Sequence, residues 1–276
     1  MSNNHLTHSF LGKKVSYVDQ YDPTLLFPIP REQKRAEIGI DGPLPFYGCD
    51  TWNAFELSWL NAKGKPIVAL ARFDIACDSK NLVESKSFKL YLNSFNNSKF
   101  ESVDQVRSVL QGDIEKAAQG RVSVEIYSAD DVGVIPIKNF DAQCIDDQDI
   151  VIDTYIVEPA FLNANKNQII HEKIYSNLLK SNCLVTGQPD WGSVMIEYAG
   201  PKIDHEGLLK YIISFRNHNE FHEQCVERIF MNILTYCKPQ HLTVRACYTR
   251  RGGLDINPIR STEKMNLTAN SRMVRQ

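Results

Sequence analysis

The chain has 276 residues, 31 Lys and Arg against 33 Asp and Glu, and 43% hydrophobic residues, which suits about two ordinary domain cores and excludes a disordered chain. A net charge of -2 excludes the broad basic field that holds tRNA or DNA, though not a free nucleobase, which needs only a pocket. Met1 to Phe10 lacks the apolar core of a signal peptide, no run approaches the ~18 apolar residues of a membrane span, and seven cysteines without a CxxC pair read as reduced cytoplasmic thiols.

In chain order, Thr51 to Leu60 alternates and Ile67 to Ile75 is strongly apolar, so both are expected as strands. The run Glu84-Ser85-Lys86-Ser87-Phe88-Lys89-Leu90-Tyr91 sets an acid, two hydroxyls and two lysines close around one aromatic. Ser94-Phe95 then reads as a short apolar strand before an Asn-rich turn. A helical stripe follows at Val103, Val106, Leu110 and Ile114, with Ser98 and Glu101 as a capping box. Arg121 to Tyr127 is a further strand. The acidic stretch Asp141 to Asp153 is the expected boundary, dividing the chain into 1–145 and 146–276.

Past that boundary the pattern predicts a helix from about Asn167 to Lys180, then strands at Ser193 to Tyr198, Leu208 to Phe215 and Leu242 to Tyr248. Ser214-Phe215 leads through Arg216 to Phe221 into a second helical stripe at Cys225, Ile229, Phe230 and Ile233, with Asn217 or Asn219 available as its cap. The two Ser-Phe runs share one plan, which reads either as an internal duplication or as a chance match. Strands outnumber helices and several are close enough to form hairpins. The expected class is therefore α+β with antiparallel sheets.

Three stretches could carry chemistry. Cys183 precedes Asp190 across a Gly-Gln-Pro turn, close enough in sequence for a carboxyl to fold back on a thiol, although an isolated Cys also serves as a plain buried apolar residue. His222-Glu223 opens a helix, where the dipole favours a carboxylate and disfavours an imidazolium. An ionised Glu223 would offer two acceptors to the N–H edge of a guanine-like base; the plain alternative is a solvated helix end. Arg250-Arg251-Gly252-Gly253 places guanidinium forks beside a backbone that can approach a phosphate, as a simple hairpin loop would also look. The chain has no GxGxxG, so no Rossmann site is indicated. His222 and Cys225 have a spacing that can share a helix face, but a third zinc ligand at a recognisable spacing is missing, so no metal is expected.

The Glu84 to Tyr91 run, together with Cys183, Asp190, His222, Glu223, Tyr21-Asp22-Pro23, Leu26 to Arg31, Leu11-Gly12-Lys13 and Asp255 to Pro258, resembles the two-domain form of the NADPH-dependent nitrile reductases that act on 7-cyano-7-deazaguanine, on the way to the modified tRNA base queuosine. The resemblance implies two tandem tunnelling-fold domains, each an antiparallel sheet with helices on one face, assembled as a cytoplasmic homodimer. It implies a Cys183 thioimide, with Asp190 and His222 handling protons. Val83, Glu84, Ser85, His222 and Glu223 would hold the free base. Ser85, Lys86, Arg251 and Gly252 would hold NADPH, used twice per turnover, with no membrane or direct nucleic-acid contact. Glu101 would then mark in the first half the place that Glu223 takes in the second. If Cys183 and His222 share a pocket, Cys225 lies one helical turn from His222, and a protective Cys183–Cys225 disulfide becomes a further expectation. A cysteine hydrolase of amides or nitriles, a zinc-dependent hydrolase and a noncatalytic purine- or pterin-binding protein are the competing readings.

Overall fold

The computed structural model describes residues 17–131, 133–265 and 270–276; Met1 to Phe10 and Leu11-Gly12-Lys13 lie outside the described residues. The elements run β1 (Pro28–Pro30), α1 (Glu32–Ala36), β2 (Tyr47–Leu60), β3 (Pro66–Ala76), β4 (Asn81–Val83), α2 (Ser85–Asn93), α3 (Val103–Ala118), β5 (Val122–Ser128) and β6 (Gln143–Cys144). They continue with β7 (Ala164–Ser176), β8 (Lys180–Asn182), β9 (Pro189–Ile203), α4 (His205–Ser214), α5 (His222–Cys237), β10 (His241–Tyr248) and β11 (Leu254–Ser261). Pairing is antiparallel for β3 with β5, β7 with β9, β8 with β9, β9 with β10 and β10 with β11, and parallel for β6 with β7. The chain is α+β, as expected.

Two compact units form. The first is Met1–Gln33, Asp50–Val134 and Arg250–Asp255; the second is Lys34–Cys49, Ile135–Thr249 and Ile256–Gln276. Both are discontinuous, so a single cut at 145/146 does not describe them: the long crossing falls at Val134, and short segments of β2 and β11 are divided between the units. Each unit nevertheless carries the order strand, strand, helix, helix, strand, as β2-β3-α2-α3-β5 and as β7-β9-α4-α5-β10. Strand order is β5-β3-β2 in the first unit and β11-β10-β9-β7-β6 in the second, with β8 also on β9.

The cores follow from helical spacing. In α3, Val106, Leu110, Ile114 and Ala118 are buried at intervals of four. Burial of a large apolar side chain of this kind contributes about 1.5–3 kcal/mol. Phe88 of α2 meets Trp52 and Phe73 edge-on, each at 5.1 Å. In α5 the buried stripe is Val226, Ile229, Phe230, Ile233 and Cys237. α3 and α5 both end on a left-handed residue, Gln119 (φ 50) and Lys238 (φ 52).

The repeat extends to hydrogen bonds. Asp22 caps a 3-10 turn at Pro23–Leu25, its N–H donates to Ser94 Oγ (3.1 Å), and that hydroxyl donates to Tyr91 O (2.6 Å). Glu158 caps a 3-10 turn at Pro159–Phe161, its N–H donates to Ser214 Oγ (3.1 Å), and that hydroxyl donates to Tyr211 O (2.6 Å). The Ser-Phe runs thus occupy equivalent places, but at the ends of helices α2 and α4 and not in strands.

Four further expectations are corrected. Leu208 to Phe215 lies in α4 except for its last residue: Asp204 accepts from Gly207 N–H as the N-cap, and Leu208, Leu209, Tyr211 and Ile212 form a helical face despite the strand-like run. Asn167 to Lys180 is not a helix; Ile169 to Ser176 pairs residue by residue with β9, and tertiary pairing outweighs local propensity there. Ser102, not Ser98, caps α3, accepting from Gln105 N–H (3.2 Å), while Ser98 Oγ accepts from Tyr21 N–H (2.7 Å). The N-cap of α5 is Phe221, with no side-chain hydrogen bond, so neither Asn217 nor Asn219 caps it.

Candidate active site

The second unit holds Cys183, Asp190, His222 and Glu223. β8 and β9 form a hairpin in which Ser181 faces Asp190 and Asn182 faces Pro189. Its tip is closed by backbone: Cys183 N–H donates to Gln188 O (2.8 Å) and Gly187 N–H to Cys183 O (3.0 Å). Directly paired residues and alternate residues of a strand share a face. Ser181, Asp190, Gly192 and Tyr248, which pairs with Gly192, therefore lie on one side. A Cβ on Gly192 would sit 3.2 Å from the Tyr248 ring, so glycine leaves the ring its place.

The start of α5 covers that face. His222 and Tyr248 have ring centroids 4.0 Å apart, and His222 Nε2 is 3.5 Å from Asp190 Oδ2. That separation is longer than a hydrogen bond, and among the described residues the buried Nε2 has no hydrogen-bond partner. Ser181 interacts with the Cys225 thiol and the Tyr248 hydroxyl, while among the described residues both amide atoms of Gln224 are buried without a hydrogen-bond partner. Asp190 and Glu223 are 4% and 3% exposed. Cys225, on the same turn of α5, is fully buried, and burial together with the nearby Glu220 charge pushes its thiol well above the ordinary range. Both Cys183 and Cys225 carry free thiols here.

The first unit holds the other group. Val83 ends β4, and Glu84, fully buried, caps α2 by accepting from Lys86 N–H (2.7 Å) and Ser87 N–H (2.8 Å). Burial raises the Glu84 carboxyl above its ordinary value against the pull of these two bonds and of Lys89 and Lys86. Ser85 and Lys86 are half-buried in the first turn. Arg251-Gly252 forms a turn in which Arg251 N–H donates to Leu254 O (2.9 Å). Gly252 adopts φ +57, and a Cβ there would lie 3.0 Å from Lys89 Cδ. The structure thus brings the Gly252 backbone and a lysine of the Glu84 run together. The Glu56 carboxylate lies at the neighbouring Gly253, so the corner holds a lysine and a carboxylate beside backbone that carries no side chain.

Tyr248, Ser181, Gln224 and the Glu220–Arg228 pair were not singled out by sequence. Only the burial and mutual contacts of their polar atoms mark them, and sequence does not display that. His218, Glu220 and Cys225 have potential metal-ligand atoms within 4.8 Å of one another, a different trio from the His222–Cys225 pair considered above. Arg228 already holds both oxygens of Glu220, at 2.9 and 2.7 Å, and so supplies the cation itself.

Residues 17–126 match the family model described as "Nitrile reductase, 7-cyano-7-deazaguanine-reductase N-term", and residues 189–266 match "QueF-like protein". Relatives from Polaromonas sp. (strain JS666) and Burkholderia multivorans are each 56% identical over 98% of both chains, and one from Chromobacterium violaceum is 56% identical over 98% of this chain and 97% of its own. All three are named NADPH-dependent 7-cyano-7-deazaguanine reductase. At this identity over nearly its full length, the chain belongs to the family of NADPH-dependent 7-cyano-7-deazaguanine reductases.

Proposed function

We propose that this enzyme reduces the nitrile of 7-cyano-7-deazaguanine to the 7-aminomethyl group through a covalent thioimide on Cys183, with two NADPH consumed per turnover and no metal. The observation that carries the chemistry is the β8–β9 register. It ties a thiol at the hairpin tip to a buried carboxyl on the neighbouring strand, with an unpartnered imidazole nitrogen 3.5 Å from that carboxyl.

Nitriles accept hydride poorly, and addition of sulfur gives a more electrophilic C=N. The Cys183 sulfur forms the bond to the nitrile carbon while the nitrogen takes a proton from Asp190, so Asp190 must be protonated when attack occurs. His222, held between Tyr248 and Asp190, positions the substrate and assists in returning protons. Glu223 accepts the N–H edge of the base at the helix N-terminus, with Val83, Glu84 and Ser85 as further contacts. When bound, NADPH would supply two hydrides in turn, the first to the thioimide carbon, from which the Cys183 thiolate leaves to give the imine, and the second to that imine to give the amine. Ser85, Lys86, Arg251 and Gly252 would hold it, the last two at its phosphates; the meeting of Gly252 with Lys89 supports this reading.

The free base, and not tRNA, is the partner, in keeping with a net charge of -2. A cytoplasmic homodimer completes the proposal; among the described residues no helix is long and apolar enough to cross a membrane. The test is an intact mass spectrum after mixing with 7-cyano-7-deazaguanine in the absence of NADPH. The expected adduct equals the whole substrate mass and is absent in Cys183→Ala. No adduct on folded, reduced enzyme would remove the covalent mechanism.

A further inference from the structure

The segment that leads into α5 is joined to the nucleophile's strand by a junction that also occurs in the first unit, built there from different chemistry. In the first unit Leu60 N–H donates to Ser98 O (2.9 Å) and Leu60 O accepts from Phe100 N–H (2.9 Å). In the second unit Asn182 N–H donates to His218 O (2.8 Å) and Asn182 O accepts from Glu220 N–H (3.2 Å). The bridges Leu60 with Lys99 and Asn182 with Asn219 confirm the correspondence. By this register Phe100 matches Glu220; counted from the N-caps Ser102 and Phe221, Glu223 corresponds to Asp104, not to Glu101.

Phe100 is buried, stacked on Phe95 (5.2 Å) and edge-on to Tyr21 (6.1 Å). In its place Glu220, 2% exposed, accepts from Arg228 Nε (2.9 Å) and Nη2 (2.7 Å) and lies 2.9 Å from His218 Nε2. Lys180 Nζ adds bonds to Arg216 O and Asn182 Oδ1, both 2.6 Å. A buried ion pair is seldom more stabilising than apolar packing of similar volume, and the first unit makes the junction with a phenyl ring. The fold alone does not need these charges. What a bidentate fork adds is fixed angle and distance, where stacked rings tolerate sliding. Asn182 is the residue before Cys183, and Glu220 stands just ahead of His222 and Glu223.

We infer that Glu220, forked to Arg228, is a positioning residue for the reduction: it holds the Cys183 backbone in register with His222 and Glu223, so that sulfur meets the nitrile of a base already bound. This rests on the covalent reading above. The step it governs is balanced without any redox partner: the S–C bond forms, one C–N π bond breaks, and the nitrogen takes the proton from Asp190. Glu220 touches none of these atoms.

The test separates adduct formation from base binding. Quenched-flow mass spectrometry without NADPH gives the adduct rate, and calorimetry in a Cys183→Ala background gives base affinity. The variants are Glu220→Gln and the apolar pair Glu220→Leu with Arg228→Leu, which imitates the first unit. Both should fold, by circular dichroism, and lose on the order of 100-fold in adduct rate, the scale of a small misplacement. Base affinity should stay within about threefold, since binding and chemistry are then lost separately. Adduct formation at the parent rate, or affinity falling in step with rate, would overturn the positioning role. If the parent forms no adduct, the covalent reading fails and this role with it; if the parent does and the variants match it, only this role fails.

Discussion

Gly252 shows how much one backbone angle decides. Its φ of +57 disfavours any side chain, and a Cβ would press on Lys89 at 3.0 Å. Gly252→Ala is therefore expected to raise the KM for NADPH by roughly tenfold while leaving the single-turnover adduct rate unchanged, the signature of lost uniform cofactor binding. An unchanged KM, or an adduct rate that falls as far as KM rises, would remove Gly252 from the cofactor corner. This residue was legible in the sequence because Arg-Gly-Gly is conspicuous there. Lys89 was legible only as part of its run, since nothing in a linear chain places it against residue 252. Tyr248 was not legible at all: as the last residue of an alternating strand it looks like core, and only its close, tilted ring contact with His222 shows otherwise.

At the scale of elements, α5 is tied down by charge as well as by its apolar stripe. Glu227, 2% exposed, accepts from Arg35 Nε (2.9 Å) and Nη2 (2.7 Å) and from Arg260 Nε (3.1 Å) and Nη2 (2.8 Å), while Arg260 Nη1 donates to Cys49 O (3.1 Å). Removing one partner leaves buried charge without its complement. Glu227→Ala should destabilise the second unit by about 3–5 kcal/mol, read as a lower urea midpoint. A loss below about 1 kcal/mol, the range of surface pairs, would show that water reaches the arginines. The elements misread from sequence fail for one reason. Leu208 to Phe215 is as apolar as a strand, and Asn167 to Lys180 is as polar-patterned as a helix. In the first a short N-cap wins; in the second the length of β9 imposes pairing.

For the whole molecule, two buried carboxyls pull stability in opposite directions with pH. Burial alone would raise Glu220, but Arg228 and His218 outweigh it and hold the carboxyl below its ordinary value. Its contribution is thus complete above the ordinary carboxylate range and lost as pH falls through the depressed value. Burial raises Glu84, so its contribution is complete below that range and lost as pH rises through the raised value. Denaturant titrations across acid to neutral pH should show Glu220→Gln closing its deficit against the parent as pH falls. Glu84→Gln should gain on the parent as pH rises. Parallel curves for either variant would contradict the assigned direction.

The hairpin tips of the two units carry a similar backbone closure, one residue longer in the second. In the first, Asn61 N–H donates to Lys65 O and Gly64 N–H to Asn61 O, as Cys183 and Gly187 do in the second. Asn61 also braces its own corner, its Oδ1 accepting from Lys63 and Lys65 N–H at 3.0 Å each. In the second unit Thr186 Oγ1 accepts from Gln188 N–H instead (3.3 Å). That exchange frees the first side chain of the turn from architectural duty. A molecule that writes one corner twice can let one copy keep shape and the other take up reactivity, and a thiol could be introduced at the second without asking the first to change.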